Sequence, residues 1–212
     1  MSEFFLELFS EEIPPSLQKN LREDLLDKFN KLFMKKFISF NKSFSYSTPN
    51  RSIIVFEGIK KKVVLKPDEI RGPNINAPEV ALEGFMRSNK ISKDDLFTKK
   101  IDKGDFYFFK TKSKTLKTHD LLEQLAPVLL KKIQWKKSMR WGDYDLNWGR
   151  PLKTIIALFN NKIVNFGFHH LKSGNQTITG VGNEEKLRKI NNFKFYLKVL
   201  DAQNTVLDQL TN

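Results

Sequence analysis

Across residues 16–36 the apolar side chains Leu17, Leu21, Leu25, Phe29, Leu32 and Phe33 recur at helical spacing. A helix of about twenty residues reaches about 30 Å, enough to cross a whole domain, and a stripe that long needs a broad apolar surface to lie on. Short strands in hairpins are the candidates for that surface. Segments 44–47 and 52–58 flank Thr48-Pro49-Asn50-Arg51, a separator with turn chemistry. Segments 97–101 and 106–111 flank Asp102-Lys103-Gly104-Asp105, and 154–159 and 162–168 flank Asn160-Asn161, whose side chains tolerate positive φ. Residues 4–9 form an apolar strand candidate interrupted by Glu7, and 62–66 a further short one. A second long helix is expected over 118–133, with Thr118 or Thr115 as cap and a kink or break near Gln124 caused by Pro127. Shorter helices are expected over 79–88 and 191–200. Strands and helices alternate in hairpin blocks, not in βαβ units. The fold class is therefore α+β, antiparallel β-hairpins packed with two long helices.

Several chemistries are excluded by what is missing. The chain has no cysteine, which removes disulfides, thiolate nucleophiles, Cys-type zinc sites and iron–sulfur clusters. It has no Gly-Lys-Ser/Thr element, and Gly180-Val181-Gly182 lacks the third glycine of a dinucleotide fingerprint, so that stretch reads as a loop. Neighbouring His169 and His170 would point to opposite faces of a strand and could not chelate one ion, so no metal site is expected. Glu11-Glu12 precedes a helix start, where negative charge suits the macrodipole. Nothing composes a nucleophile, a base and an orienting group, and no catalytic residue is expected. The N-terminus has no basic segment before its apolar stretch, and the charge-free stretch 154–161 falls far short of the roughly 20 residues that span a bilayer. A soluble, cytoplasmic protein without a membrane partner is the expectation.

Thirty-seven Lys plus Arg against 24 Asp plus Glu give a net charge of +13, and a polyanionic partner, nucleic acid above all, is the default inference. An AT-rich coding bias competes with it, because Lys and Phe are abundant while Arg and Gly are scarce. Position has to decide. The stretch 131–153 holds every tryptophan of the chain (Trp135, Trp141, Trp148) and seven cations (Lys131, Lys132, Lys136, Lys137, Arg140, Arg150, Lys153) against Asp143 and Asp145. Guanidinium groups bind phosphate bidentately and indoles stack on unpaired bases; the alternative is that the tryptophans are core and the lysines a solvated face. Arg51, Arg71, Arg87, Arg140 and Arg150 stand at loop edges or beside breakers. There a guanidinium suits fixed contacts to phosphate or to an internal carboxylate.

Taken together these stretches resemble the N-terminal part of the beta subunit of bacterial heterotetrameric glycyl-tRNA synthetase. The resemblance rests on Glu11-Glu12-Ile13-Pro14-Pro15, Thr48-Pro49-Asn50-Arg51, Arg71-Gly72-Pro73, Glu83-Gly84-Phe85 with Arg87, and Lys103-Gly104. It continues in Lys137-Ser138-Met139-Arg140-Trp141-Gly142, Arg150-Pro151 and Lys172-Ser173-Gly174, in the same order over most of the chain. Two elements depart from it: Asn50 stands where the family has an arginine, and the family's Gly-His-Arg-Phe is absent near Gly180-Val181-Gly182. The resemblance implies that residues 1–212 are one N-terminal α+β region of a longer subunit, with a candidate seam in the Pro-rich loop 67–78. It also implies a glycine–tRNA ligase whose ATP-dependent chemistry resides on a separate alpha subunit, so that this chain binds no cofactor itself and has tRNA(Gly) and the alpha subunit as partners. Arg51, Arg71, Lys137, Arg140, Trp141 and Arg150 are the expected RNA contacts. A free-standing RNA-binding module, and an assembly scaffold whose arginines form internal salt bridges or a truncated fragment without its own RNA contact, remain the other readings.

Overall fold

The computed structural model describes residues 2–65, 67–101, 104–141, 143–180 and 185–209. In chain order its elements are β1 (Glu3–Ser10), α1 (Pro15–Lys35), β2 (Lys42–Thr48), β3 (Arg51–Glu57), β4 (Lys62–Leu65), β5 (Glu69–Asn74), α2 (Glu79–Asn89), β6 (Leu96–Ile101), β7 (Gly104–Lys110) and β8 (Lys114–Lys117). There follow α3 (Thr118–Leu130), β9 (Leu152–Phe159), β10 (Lys162–Ile163), β11 (Gly167–Phe168), β12 (Leu171–Gly174), β13 (Gln176–Thr179), β14 (Lys186–Lys189), α4 (Phe193–Asp201) and β15 (Asp208–Gln209). The fold is α+β and dominated by antiparallel pairs, as expected. Its contacts divide it into two compact units, Met1–Val63 with Leu116–Asn212, and Val64–Thr115.

The larger unit is built on a sheet of order β11-β12-β9-β1-β3-β2-β15, with β10 folded back on β9. Only β12 and β9 run parallel; the other neighbours are antiparallel. β1 lies between β3 and β9 and is covered on both faces, which is why it reads as a near-continuous apolar run. Alternation sends Phe4, Leu6 and Leu8 to one face. There Phe4 meets Phe29 of α1 at 5.8 Å between ring centroids, and Phe33 meets Phe56 of β3 at 4.6 Å. Phe5 points to the opposite face, where α4 supplies Phe193 and Tyr196 at 5.3 and 4.9 Å and Ile53, Val55, Ile156 and Leu158 complete the cluster. Asn192 caps α4, its side chain accepting from the Phe195 N–H at 2.8 Å.

Several local expectations change. Glu11 and Glu12 do not cap α1: the helix begins after Pro14 without a side-chain cap and with no acidic residue in its first turn. Thr118 does not cap α3 either; its hydroxyl donates to the Lys60 carbonyl instead. Pro127 lies within a continuous α3. It falls in the last turn, where its missing N–H costs a single backbone bond, and buried Leu122, Ala126, Leu129 and Leu130 hold the helix past it. His169-His170 is a two-residue turn between β11 and β12, with Phe168 paired to Leu171 and His169 at φ 53°, not a strand.

In the smaller unit β7 is flanked by β5 and β6. β5 occupies the segment expected to be loop or linker. Gly72-Pro73 is absorbed as a register shift between Arg71 and Asn74, so two breakers interrupt a strand without ending it. Gly72 also lets α2 approach: a Cβ there would lie 2.8 Å from the Phe85 ring, which itself packs on Phe109 at 5.8 Å. The β6–β7 turn residues Asp102 and Lys103, like Gly142 and Val181-Gly182, lie outside the described residues.

Phe56 touches Phe4, Phe29, Phe33 and Phe40 and is fully buried. Phe56→Ala is expected to lower unfolding stability by about 3–5 kcal/mol in urea titration, whereas Phe37→Ala, at 72% exposure, should change it by less than about 0.5 kcal/mol.

Candidate functional site

Three of the sequence motifs meet where β1, β3 and β9 share one end. The Ser10 N–H donates to the Asn50 carbonyl at 2.8 Å, Ile13 N–H to Pro49 at 2.7 Å and Glu11 N–H to Pro151 at 2.9 Å. The Asn50 side chain donates back to the Ser10 carbonyl at 3.4 Å, and Arg150 Nε donates to the Glu12 carbonyl at 3.1 Å. The residues 10–13, 48–51 and 150–151 thus form one hydrogen-bonded corner. Arg150 is half-buried and clamps this corner, its Nη1 also 3.9 Å from Met139 Sδ.

Arg51 turns inward from the same corner. It pairs with Phe9 in the β1–β3 register, so it shares a face with Glu7, and its guanidinium lies over the Phe9 ring at 4.6 Å. Its Nε is 3.2 Å from Glu7 Oε1 and its Nη2 donates to the Ile178 carbonyl at 2.7 Å. Only 7% of Arg51 is exposed, and Arg51 is corrected from an RNA contact to an internal ion pair. Glu7, fully buried, also accepts from Thr177 Oγ1 at 2.9 Å and from the Tyr196 hydroxyl. Burial raises the Glu7 carboxyl from its ordinary 4.5 despite the guanidinium and the two hydroxyls. Burial, with the neighbouring carboxylate, pushes the Tyr196 phenol well above 10.0, which keeps it a donor.

Outside the corner, residues 131–141 and 143–149 form an irregular arch. The Met139 and Trp148 backbones exchange bonds at 2.8 and 3.1 Å, closing a loop that carries Arg140, Trp141, Tyr144 and Asp145. Trp148 is core, 2% exposed and 5.5 Å from Phe168. Trp135 packs on Trp148 at 5.1 Å and covers Gly149, where a Cβ would come within 2.1 Å of the indole. Trp141 is half-buried against His170. Lys136, Lys137 and Arg140 are exposed, and Arg140 reaches Asp145 only loosely, at 3.7 Å with both side chains largely in solvent.

The structure therefore brings Lys137, Arg140 and Trp141 onto one arch with Arg150 at its end, and buries Arg51. Arg71 belongs to the smaller unit. It is exposed, and its guanidinium lies over the Phe106 ring at 3.7 Å. Sequence reasoning missed β14, whose Lys186, Leu187, Arg188 and Lys189 are all exposed and which pairs with β13. The density of cations in Lys186-Leu187-Arg188-Lys189 was the available signal. Lys153 ties this ribbon to β9 through Glu185 at 3.1 Å.

Removing Arg51 strands a buried charge. Arg51→Ala is expected to cost about 3–5 kcal/mol of stability at neutral pH. Because the folded chain holds the Glu7 proton more tightly than the unfolded chain, this group favours the fold most below its ordinary 4.5, and that contribution is lost as pH rises through the raised folded value. Glu7→Gln should flatten the stability profile across that window, as measured by urea unfolding at stepped pH.

The family model described as glycyl-tRNA synthetase beta subunit matches residues 4–211. The chain is 37% identical over 210 residues to the glycine–tRNA ligase beta subunit of Rickettsia prowazekii, covering 99% of this chain and 31% of that protein. It is 36% identical over 210 residues to the corresponding subunit of Rickettsia akari, covering 99% of this chain and 32% of the relative. The chain thus spans about a third of the length of these relatives.

Proposed function

The chain belongs to the glycyl-tRNA synthetase beta subunit family, and from that premise we propose that it is a non-catalytic, tRNA-contacting part of a cytoplasmic glycine–tRNA ligase. On this reading ATP-dependent glycylation of tRNA(Gly) takes place on a separate alpha polypeptide, which also binds the ATP. The observation that carries the reading is the arch: exposed Lys136, Lys137 and Arg140 stand close to Trp141 in sequence, on a segment closed on itself by the Met139–Trp148 bridge and tied at its far end to Glu12 by Arg150. Cations held on fixed backbone bind phosphates in register and lose little freedom in doing so. Lys137 and Arg140 take phosphate, Trp141 packs edge-on against His170, and Arg150 positions the arch through Glu12. Arg71 and the exposed cations of β14 add further phosphate contacts.

A scaffold reading is favoured for one part of the original set. Arg51 and Arg150 donate to internal groups, and their loss acts through stability.

Binding of tRNA(Gly) titrated against salt separates the two. A Lys137→Ala/Arg140→Ala chain should keep its fold and lose roughly 0.9 from the log–log salt slope for each phosphate contact removed. Asp145→Asn, which frees Arg140, should tighten binding. An unchanged slope in a folded double variant would assign these cations to the scaffold, and co-purification with an alpha-type polypeptide tests the ligase complex directly.

A further inference from the structure

The tight turn at His169-His170 has a consequence on the surface. It sets the His170 imidazole against the arch, where the Tyr144 ring lies on it almost parallel, with centroids 3.7 Å apart and 13° between planes. Trp141 meets the same imidazole edge-on, at 6.1 Å and 82°. One face of His170 is taken by Tyr144 and its flank by Trp141. Tyr144 is still 45% exposed, and among the described residues His170 is the one ring in contact with it. Burial against the arch and the neighbouring His169 lower the His170 imidazole from its ordinary 6.5.

The larger unit packs several big aromatic pairs into the core: Phe4 with Phe29, Phe33 with Phe56, Phe5 with Tyr196. The Tyr144–His170 stack is built on the outside, next to exposed Lys137 and Arg140. A planar, partly solvated pile beside cations fits a planar, anionic-backed ligand.

We propose that Tyr144, His170 and Trp141 form a stacking site for an unpaired RNA base, which extends the pile on the other face of Tyr144 while Arg140 leaves Asp145 for the adjoining phosphate. The proposal rests on the tRNA-contacting reading and narrows it to a single-stranded segment of the RNA. A base inside a duplex has neighbours on both faces and cannot enter the pile without being unstacked. Asp143 and Asp145 flank Tyr144 and are exposed. They disfavour a phosphate directly over the ring and leave the ring face to the base.

The test uses the chain as it stands, with fluorescence anisotropy on a short labelled single-stranded RNA and on the same strand annealed to its complement. Tyr144→Ala should weaken the single-strand complex roughly ten-fold or more, the usual effect of removing one stacking ring, with the salt slope unchanged and the duplex affected less than about two-fold. Tyr144→Phe, which keeps the ring, should bind as the parent does, and His170→Ala should follow Tyr144→Ala. Thermal melting checks that each variant is folded. Equal affinity of parent and Tyr144→Ala for the single strand, with Arg140→Ala still weakening it, overturns the stack and leaves the tRNA reading standing. A parent chain that binds neither probe overturns both. Loss of alpha-subunit co-purification in Tyr144→Ala with RNA binding intact would reassign the stack to a protein partner and likewise overturn it.

Discussion

A carboxylate in the middle of the central strand is the constraint around which the larger unit is arranged. Glu7 sits in β1, between β3 and β9, with no route to water. A buried carboxylate is tolerated only when it is paired and hydrogen-bonded, and its partners come from three other elements: Arg51 from β3, Thr177 from β13 and Tyr196 from α4. The pairing also protects the register. Slipping β1 by one residue would turn Glu7 toward the phenylalanine face under α1 and turn Phe4, Leu6 and Leu8 away from it. The hydrophobic layers give this sheet its stability; the ion pair makes one alignment of them acceptable.

The same pair links the interior to the cation-bearing surface. Arg51 begins β3, directly after the Pro49-Asn50 turn, and its Nη2 holds the Ile178 carbonyl of β13. β13 carries β14, with its exposed cations, and Lys153 fastens that ribbon to β9. Arg150, a few residues before Lys153, secures the arch to the backbone of Glu12. The exposed cations therefore stand on segments that the core indexes. A surface that grips an extended anion needs this, since charges on loose backbone attract without placing the ligand.

Much of this was legible in the chain. The α1 stripe, the Asn160-Asn161 and Pro49-Asn50 turns, and the α+β class follow from periodicity and turn chemistry, and the structure holds Asn160 and Asn161 at φ 51° and 64°. What escaped depends on contacts between distant residues. β5 looked like linker because Gly72 and Pro73 weigh heavily in any local reading, whereas the pairing of Arg71 with Phe108 decides the matter. Glu7 looked like an interruption of a strand; nothing near it in sequence announces Arg51, Thr177 or Tyr196 as its partners. The stacking of Tyr144 on His170 escaped because His169-His170 read as part of a strand, and only the hairpin turn brings one ring onto the other.

The arginines show how far composition can mislead about charge. In a chain where lysine is the default cation, four arginines are used where a flat, branched donor is needed. Arg22, 3% exposed, donates to Ser47 Oγ at 3.1 Å; Arg51 serves Glu7 and the Ile178 carbonyl; Arg71 lies flat on Phe106 at 3.7 Å; and Arg150 clamps the Glu12 carbonyl. Lysine, a point charge on a flexible stem, makes such contacts with a less fixed geometry. Retention of arginine against a lysine-rich background is thus a marker of fixed geometry, and in three of these four cases the geometry serves the fold through a directed hydrogen bond to an internal group. Arg87, Arg140 and Arg188 are exposed and depart from the pattern, Arg140 with only a long contact to an exposed aspartate. A guanidinium kept in solvent, beside an aromatic pile and on a pinned arch, has its planar donors still to spend, and this singles out Arg140 more sharply than the net charge of the chain.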